Sequence, residues 1–494
     1  MNPLLILAVF ISYSALLFLI AGITGRRSTN DTYFTGNRNS PWYIVAYGMI
    51  GASLSGVTFI SIPGEVGASG FSYMVLVLGY LLGYAFIAQV LLPVYYGRKL
   101  TSIYTYLEQR FGPYTYKTGA SFFILSRSIG SSFRVFLVVN VLQIFVFDNW
   151  GIPFAVNVAL FMGLILLYTF RGGIKTVVWT DTLQTTFMLA AVIVSVTIIS
   201  RDMEMSLGAL INQVSESDFS RMFFSEINDK RFYLKQFFSG AFIAVVMTGL
   251  DQDMMQKNLT CRNLKDAKKN IYLMSWSLVP VNLLFLFLGA LLYLYVQKMG
   301  IAMPLRSDDL FPLIALTHHG TLAGLVFLIG LVAAAYSSAD GSLTALTTSF
   351  SIDILGLGNK SNLSDRKKVN IRMIVHLCFA VFLTGLVVLF RSISDQSVIT
   401  KLFTIAGYTY GPLLGLYAFG LFTKRDVVDR YVPLIALVSP VLSYILSVNS
   451  IHWFNGYRFG FELLIFNGLI TYIGLLIISD RRKDRNANPE AEIK

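Results

Sequence analysis

The sequence predicts an all-α polytopic membrane protein of about thirteen transmembrane helices, with a five-plus-five inverted repeat. Three observations predict it. Only 13% of the 494 residues are charged and 55% are hydrophobic, whereas soluble domains carry about 25% charged residues. Apolar segments of about 20 residues, the length a helix needs to cross a bilayer, recur from end to end. Two of these segments are interrupted by small and polar residues at corresponding places, the mark of an inverted-repeat carrier. The runs are long and unbroken, so they are helices; barrel strands alternate over about ten residues.

The first span, 3–24, has no basic residue before it and "GRR" at 25–27 after it. That is the reverse of a cleavable signal, so it reads as a retained helix, and residues 1–40 form an extra N-terminal helix and loop. The first repeat, 41–200, is expected to hold spans 41–68, 71–97, 117–147, 153–170 and 177–200. A loop of about 35 residues, 201–235, separates it from the second repeat. That repeat, 236–422, runs in the opposite orientation through spans 236–256, 271–297, 321–353, 373–391 and 397–422. Two C-terminal helices follow, 431–448 and 459–479, and then a polar tail, 480–494, expected to be disordered.

The net charge is +12, and 27 of the 39 Lys and Arg fall in one alternate set of connections. This is the distribution of the positive-inside rule, giving an outside N-terminus and a cytoplasmic C-terminus in the cell (inner) membrane. Basic residues scattered over short loops do not make a nucleic-acid surface. The two cysteines, Cys261 and Cys378, suit no disulfide framework.

Both interruptions open a repeat. "YGMIGASLSGVTFISIPG" places Gly48, Gly51, Ser53, Ser55, Gly56, Thr58 and Gly64 within one span, and "SGAFIAVVMTGLDQDMMQ" ends another with Asp251 and Asp253. Non-helical backbone at membrane depth is tolerated where it lines a cavity. In "GLVAAAYSSADGSL", Ala334, Ser337, Ser338 and Gly341 recur at i, i+3, i+4 and i+7 and form one stripe, bordered by Asp340. Hydroxyls, carbonyls and a carboxylate make a hard-oxygen surface suited to a hard cation. The alternative is that Ser337 and Ser338 bond their own helix backbone. Asp181 in "KTVVWTDTLQ" stands at a depth similar to that of Asp340. Two acids at one depth require a cation or a proton between them.

With these residues in view, the chain resembles the sodium/solute symporter family, which includes sodium/glucose, sodium/proline, sodium/iodide and sodium/sialic acid transporters. The resemblance runs through "DTYFTGNR" (31–38), "ASLSGVTFISIPG" (52–64), "LTSIYTYLEQRFG" (100–112), "RGGIKTVVWTDTLQ" (171–184), "DQDMMQKNL" (251–259), "AAAYSSADGSL" (333–343) and "GPLLGLYAFGLFTKR" (411–425). It covers nearly the whole chain and implies a leucine-transporter-like core that takes up a solute with Na+. It further implies a main sodium site from the carbonyls of Gly51, Leu54 and Ala334 and the hydroxyls of Ser337 and Ser338. Members similar to the sialic acid carriers hold an extra sodium, using an acid at Asp181 and serines where Asp340 and Gly341 stand here. At those two positions this chain departs. A stronger sodium site, a proton site and an internal ion pair are all open for Asp181 and Asp340.

The resemblance puts the solute near Ser53, Ser55 and Thr58. Arg127 and Arg134, seven residues apart on one helix face, add guanidinium groups suited to a carboxylate. An anionic sugar acid or carboxylate is therefore the expected solute; the alternative is that either arginine pairs with Asp181, Asp340 or helix-end carbonyls. Val77 stands where the sialic acid carriers have a solute-contacting glutamine. Tyr408, Tyr410 and Phe59 are candidate pocket or gate aromatics, and His318 and His319 read as outer-turn residues. No HExxH, GxSxG or histidine cluster supports an enzyme. The alternatives to an anion symporter are a transporter-like solute sensor and a carrier of neutral sugar or inorganic anion.

Overall fold

The computed structural model describes residues 3–24, 30–358, 363–391 and 398–480; the expected disordered tail, beyond Asp480, lies outside them. Helices dominate, as the apolar runs dictate. α1 (Pro3–Thr24) precedes the first repeat. That repeat comprises α2 (Trp42–Ser53) with α3 (Gly56–Ser69), then α4 (Ser72–Gly97), α5 (Pro113–Trp150), α6 (Phe154–Phe170) and α7 (Gly173–Asp202). The second comprises α8 (Tyr233–Gly249) with α9 (Gln252–Asn258), then α10 (Leu264–Met299), α11 (Gly320–Ile354) and α12 (Asp365–Phe390). It closes with α13 (Val398–Thr409) and α14 (Gly411–Phe422). α15 (Asp429–Trp453) and α16 (Leu463–Ile477) complete the chain.

Eight of these helices are long and apolar enough to cross a bilayer alone, and the two bent pairs bring the number to ten. α6, α14 and α16 are shorter. All thirteen expected segments have a helical counterpart in order, while ten meet the length test. α6 and α7 meet at a kink at Gly173, where φ is +52° and ψ −139°, so the expected division between these two spans is present. A side chain there would also meet the Tyr33 ring at 2.5 Å, so only glycine fits.

The two expected interruptions are real breaks. α2 and α3 meet at 51°, and α8 and α9 at 69°. α11 packs along α7 and α5, α4 packs on α8, and α10 packs on the broken pair α2–α3. Outward faces are apolar: Leu434, Leu437, Val441 and Tyr444 of α15, and Ile374, Val381 and Phe382 of α12, are exposed. Such a surface is a liability in water and the expected covering in lipid.

Where α4 crosses α8 the backbones touch through glycines. A Cβ on Gly79 would lie 2.0 Å from the Phe237 carbonyl oxygen, and one on Gly240 would lie 2.0 Å from that of Leu76. Gly79 and Gly83 form a G-x-x-x-G face, which brings membrane helices close enough for dispersion contacts. Gly163 has nothing within 4 Å of its Cβ position. Gly79→Leu is therefore expected to lose most of the monodisperse, folded protein in detergent, an overpacking cost of about 3 kcal/mol or more. Gly163→Leu should leave yield and Tm within about 1 °C of the parent. Size-exclusion profiles and thermal unfolding of the two variants check this.

Candidate functional site

The site is organised by the break between α2 and α3. Helical dihedrals end at Ser53, and Leu54 (φ −84°, ψ 16°) and Ser55 (φ −18°, ψ 175°) turn the chain. The carbonyls of the last turn of α2, including that of Gly51, lose the amide donors of a continuing helix. Gly51 is also needed for close approach, because a Cβ there would lie 2.0 Å from Thr185 Oγ1. α11 packs against both halves of the break, and Ala334, Ser337 and Ser338 on it are buried.

Both hydroxyls use their O–H in a hydrogen bond. Ser337 Oγ donates to Asp181 Oδ1 at 2.7 Å, and Ser338 Oγ donates to the Ala334 carbonyl at 3.0 Å. The back-bond weighed as an alternative for Ser338 is thus present. A hydroxyl that donates in this way keeps its lone pairs for a cation, so the donor set of carbonyls and hydroxyls suits Na+.

Next to the break lies a central cavity of about 80 Å³. Ser53, Ser55, Thr58, Arg127 and Arg134 all line it, so five residues from two distant segments meet as expected. Arg134 is buried, and among the described residues its guanidinium makes no hydrogen bond or ion pair; Nε is fully enclosed without a partner. Arg127 differs. Its Nη2 contacts Asp253 Oδ2, its Nη1 lies 3.6 Å from Asp251 Oδ2, and its Nε donates to Ser342 Oγ at 2.8 Å. Neither arginine makes an ion pair with Asp181 or Asp340, the alternative to a solute-binding role.

Asp181 and Asp340 face different groups. Lys257 Nζ lies 2.9 Å from Asp181 Oδ2 and 3.5 Å from Asp253 Oδ1, as a charge contact without hydrogen-bond alignment. Asp340 instead accepts from Tyr168 Oη at 2.7 Å, Thr180 Oγ1 at 3.3 Å and its neighbour's amide, Gly341 N, at 2.6 Å. Asp181, Lys257, Asp253, Arg127 and Asp251 thus form a buried chain of alternating sign, ended by Tyr410 Oη donating to Asp251 Oδ2 at 2.5 Å.

A larger cavity of about 710 Å³ lies above, lined by Glu65, Asp229, Lys230, Arg231, Gln236 and Arg458. In it Arg231 grips Asp229, with Nη2 2.7 Å from Oδ2, and holds that carboxyl below the ordinary carboxylate range. Tyr73, Ile399 and Phe403 line both cavities, and the Tyr73 and Phe403 rings stack at 6.5 Å between their centroids. Of the other candidate aromatics, Tyr408 packs on Tyr444, and Phe59 sits in a cluster with Phe285, Phe311 and Phe327. Neither lines the central cavity, and nor does Val77. His319 Nδ1 is 2.8 Å from Asp202 Oδ2 at the start of α11.

Sequence reasoning missed Lys257, which was counted among loop cations because the span was taken to end at residue 256. The signal was available: Lys257 follows Asp253 at i, i+4, a helical pairing distance. It also missed Tyr73, Tyr80, Tyr84 and Asn282, which line the cavity from α4 and α10. Nothing local marks these four as different from packing residues.

Comparison with known proteins accords with this geometry. The model of the sodium:solute symporter family matches residues 33–428. The sodium/sialic acid symporter SiaT of Proteus mirabilis is 25% identical over 84% of this chain and 85% of its own. NanT of Aliivibrio fischeri, another sodium/sialic acid symporter, is 24% identical over 94% and 92%. Human sodium-coupled monocarboxylate transporter 2 is 25% identical over 83% of this chain and 68% of its own. Among solved structures, a substrate-bound, outward-open Na+-coupled sialic acid symporter superposes with a TM-score of 0.81 at 22% identity, covering 97% and 99% of the two chains. Mhp1, a nucleobase-cation-symport-1 family transporter, superposes at 0.56 with 15% identity, covering 89% and 91%. The inverted-repeat fold read from the two breaks is that of these carriers. The protein is a Na+-coupled membrane transporter and not an enzyme. With a family match across most of its length, the chain belongs to the sodium:solute symporter family.

Proposed function

We propose that this transporter takes up a small organic anion bearing a carboxylate, together with Na+, by alternating access. The observation that carries the proposal is Arg134: a buried guanidinium that makes no hydrogen bond or ion pair among the described residues, in the cavity beside the helix break. A buried charge that the protein leaves unpaired is costly. A carboxylate solute neutralises it with a two-pronged, charge-assisted hydrogen bond. The hydroxyls of Ser53, Ser55 and Thr58 then orient the rest of the solute. Sialic acids and monocarboxylates, the solutes named for the relatives, share that carboxylate. Arg127 serves as scaffold, since its guanidinium is spent on Asp251, Asp253 and Ser342.

Na+ is placed at the carbonyls of Gly51, Leu54 and Ala334 and the hydroxyls of Ser337 and Ser338. There it bridges the broken pair α2–α3 to α11, so its binding and the position of the break are coupled. With the N-terminus outside and the C-terminus cytoplasmic, the large cavity faces outward. Solute enters through it when Tyr73 and Phe403 separate. At about 80 Å³, the inner cavity is smaller than the 300–1,000 Å³ typical of ligand sites, so entry of anything beyond a few heavy atoms needs that opening. The membrane potential adds about 2.3 kcal/mol per 100 mV for each net charge carried inward.

Three outcomes test this reading. In proteoliposomes, a Na+ gradient should drive uptake of radiolabelled lactate or sialic acid but not of glucose, and a K+ gradient should drive none. Uptake of glucose alone contradicts the anion assignment. Arg134→Ala should weaken binding of the transported anion by about 10- to 150-fold, the value of a charge-assisted hydrogen bond, with Tm close to the parent. Unchanged affinity removes Arg134 from the solute site. Ser338→Ala should raise the Na+ concentration for half-maximal uptake by about tenfold or more, because it deletes one oxygen of a small coordination shell. Parental Na+ affinity in that variant takes the residue out of the ion site.

A further inference from the structure

We infer that the cation bound by Asp181 is the chain's own Lys257 ammonium, so that this transporter binds one Na+ where an acid at this position otherwise serves a second. The inference rests on the proposed Na+ reading and goes beyond it by fixing the number of ions. The resemblance implied an extra sodium site from Asp181 and hydroxyls at positions 340 and 341. The residues present do not fit that ion.

Three observations carry this. Lys257 Nζ is wholly buried and lies against two carboxylates, Asp181 at 2.9 Å and Asp253 at 3.5 Å. A second monovalent cation on the same Asp181 oxygen would meet that ammonium at close range, in a setting too poor in water to screen the repulsion. Gly341 makes the arrangement possible. A Cβ at this position would lie 2.8 Å from Lys257 Nζ and 2.6 Å from Asp253 Oδ1. A side chain at 341 would therefore have to push the ammonium and the Asp253 carboxylate out of this place, and glycine leaves them there. Finally, the Asp340 carboxylate is already held by the protein, accepting from Tyr168, Thr180 and the Gly341 amide.

The lysine is delivered by the second broken span. Asp253 and Lys257 are one turn apart on α9, the short helix that begins after the 69° bend. Lys257 contacts Asp181, and Asp181 accepts from Ser337, a proposed Na+ ligand. The tethered ammonium thus does from inside the chain what an ion would do from outside: it neutralises Asp181 and keeps Ser337 aimed at the remaining sodium site.

Equilibrium binding of 22Na+ to the purified full-length protein in nanodiscs tests this directly. Saturation at one Na+ per chain is expected. Two per chain overturns the inference, and none overturns the sodium reading on which it rests. Lys257→Met with Gly341→Ser removes the ammonium and restores a hydroxyl, and this double variant is expected to saturate at two. A folded double variant that still binds one ion with parental affinity shows that Lys257 does not fill the place and refutes the proposal. The wild-type count decides even where the variant does not fold.

Discussion

The two helix breaks of this protein are tied together by one row of charges, Asp181–Lys257–Asp253–Arg127–Asp251, in which each ion faces partners of opposite sign. All five side chains are buried. Removing one member of such a row strands the others at about 3–5 kcal/mol, so the row holds as a unit. It also joins elements that are far apart in sequence. Asp181 belongs to α7, Arg127 to α5, and the remaining three to the junction of α8 and α9. Through Ser337 and Ser342 the row reaches α11. The second helix break is thereby locked to the surface that faces the first.

The row explains why two neighbouring arginines have different uses. Arg127 completes the alternation. Arg134, two turns further along α5, borders the same cavity but is left over. A buried cation with no hydrogen bond or ion pair among the described residues favours an anion beside it, and on the proposed reading this links the fold's electrostatics to the chemistry of the solute. The proposed sodium site follows the same logic with backbone dipoles, since it joins carbonyls freed by the α2–α3 break to hydroxyls whose protons are already donated to other acceptors. Binding at either place changes the balance that fixes α3 and α11 against each other, which is what coupling requires.

Much of this was legible in the sequence where a feature repeats or is spaced regularly. The apolar runs marked the helices, and the clustered glycines around Gly51 and Gly56 marked the first break. Helical spacing placed Ala334, Ser337 and Ser338 on one stripe, and the same argument put Arg127 and Arg134 together. Contacts between distant segments were not legible. No local pattern says that Lys257 reaches Asp181, 76 positions earlier, or that Arg127 meets Asp253 and not Asp340. The residue at 341 illustrates the limit. From sequence Gly341 is a missing hydroxyl, while in the fold it is the space that admits an ammonium.

The central claim is that both cations of the row are met by the protein's own acids and that Arg134 is left for the solute. A cryo-EM map of the protein in nanodiscs, with saturating Na+ and a transported carboxylate, tests it most directly. The account predicts the carboxylate on Arg134, Lys257 Nζ on Asp181, and a single ion between the α2–α3 break and Ser337–Ser338. A map with Arg134 turned onto a protein acid, the solute elsewhere, or Lys257 withdrawn with an ion in its place would contradict it.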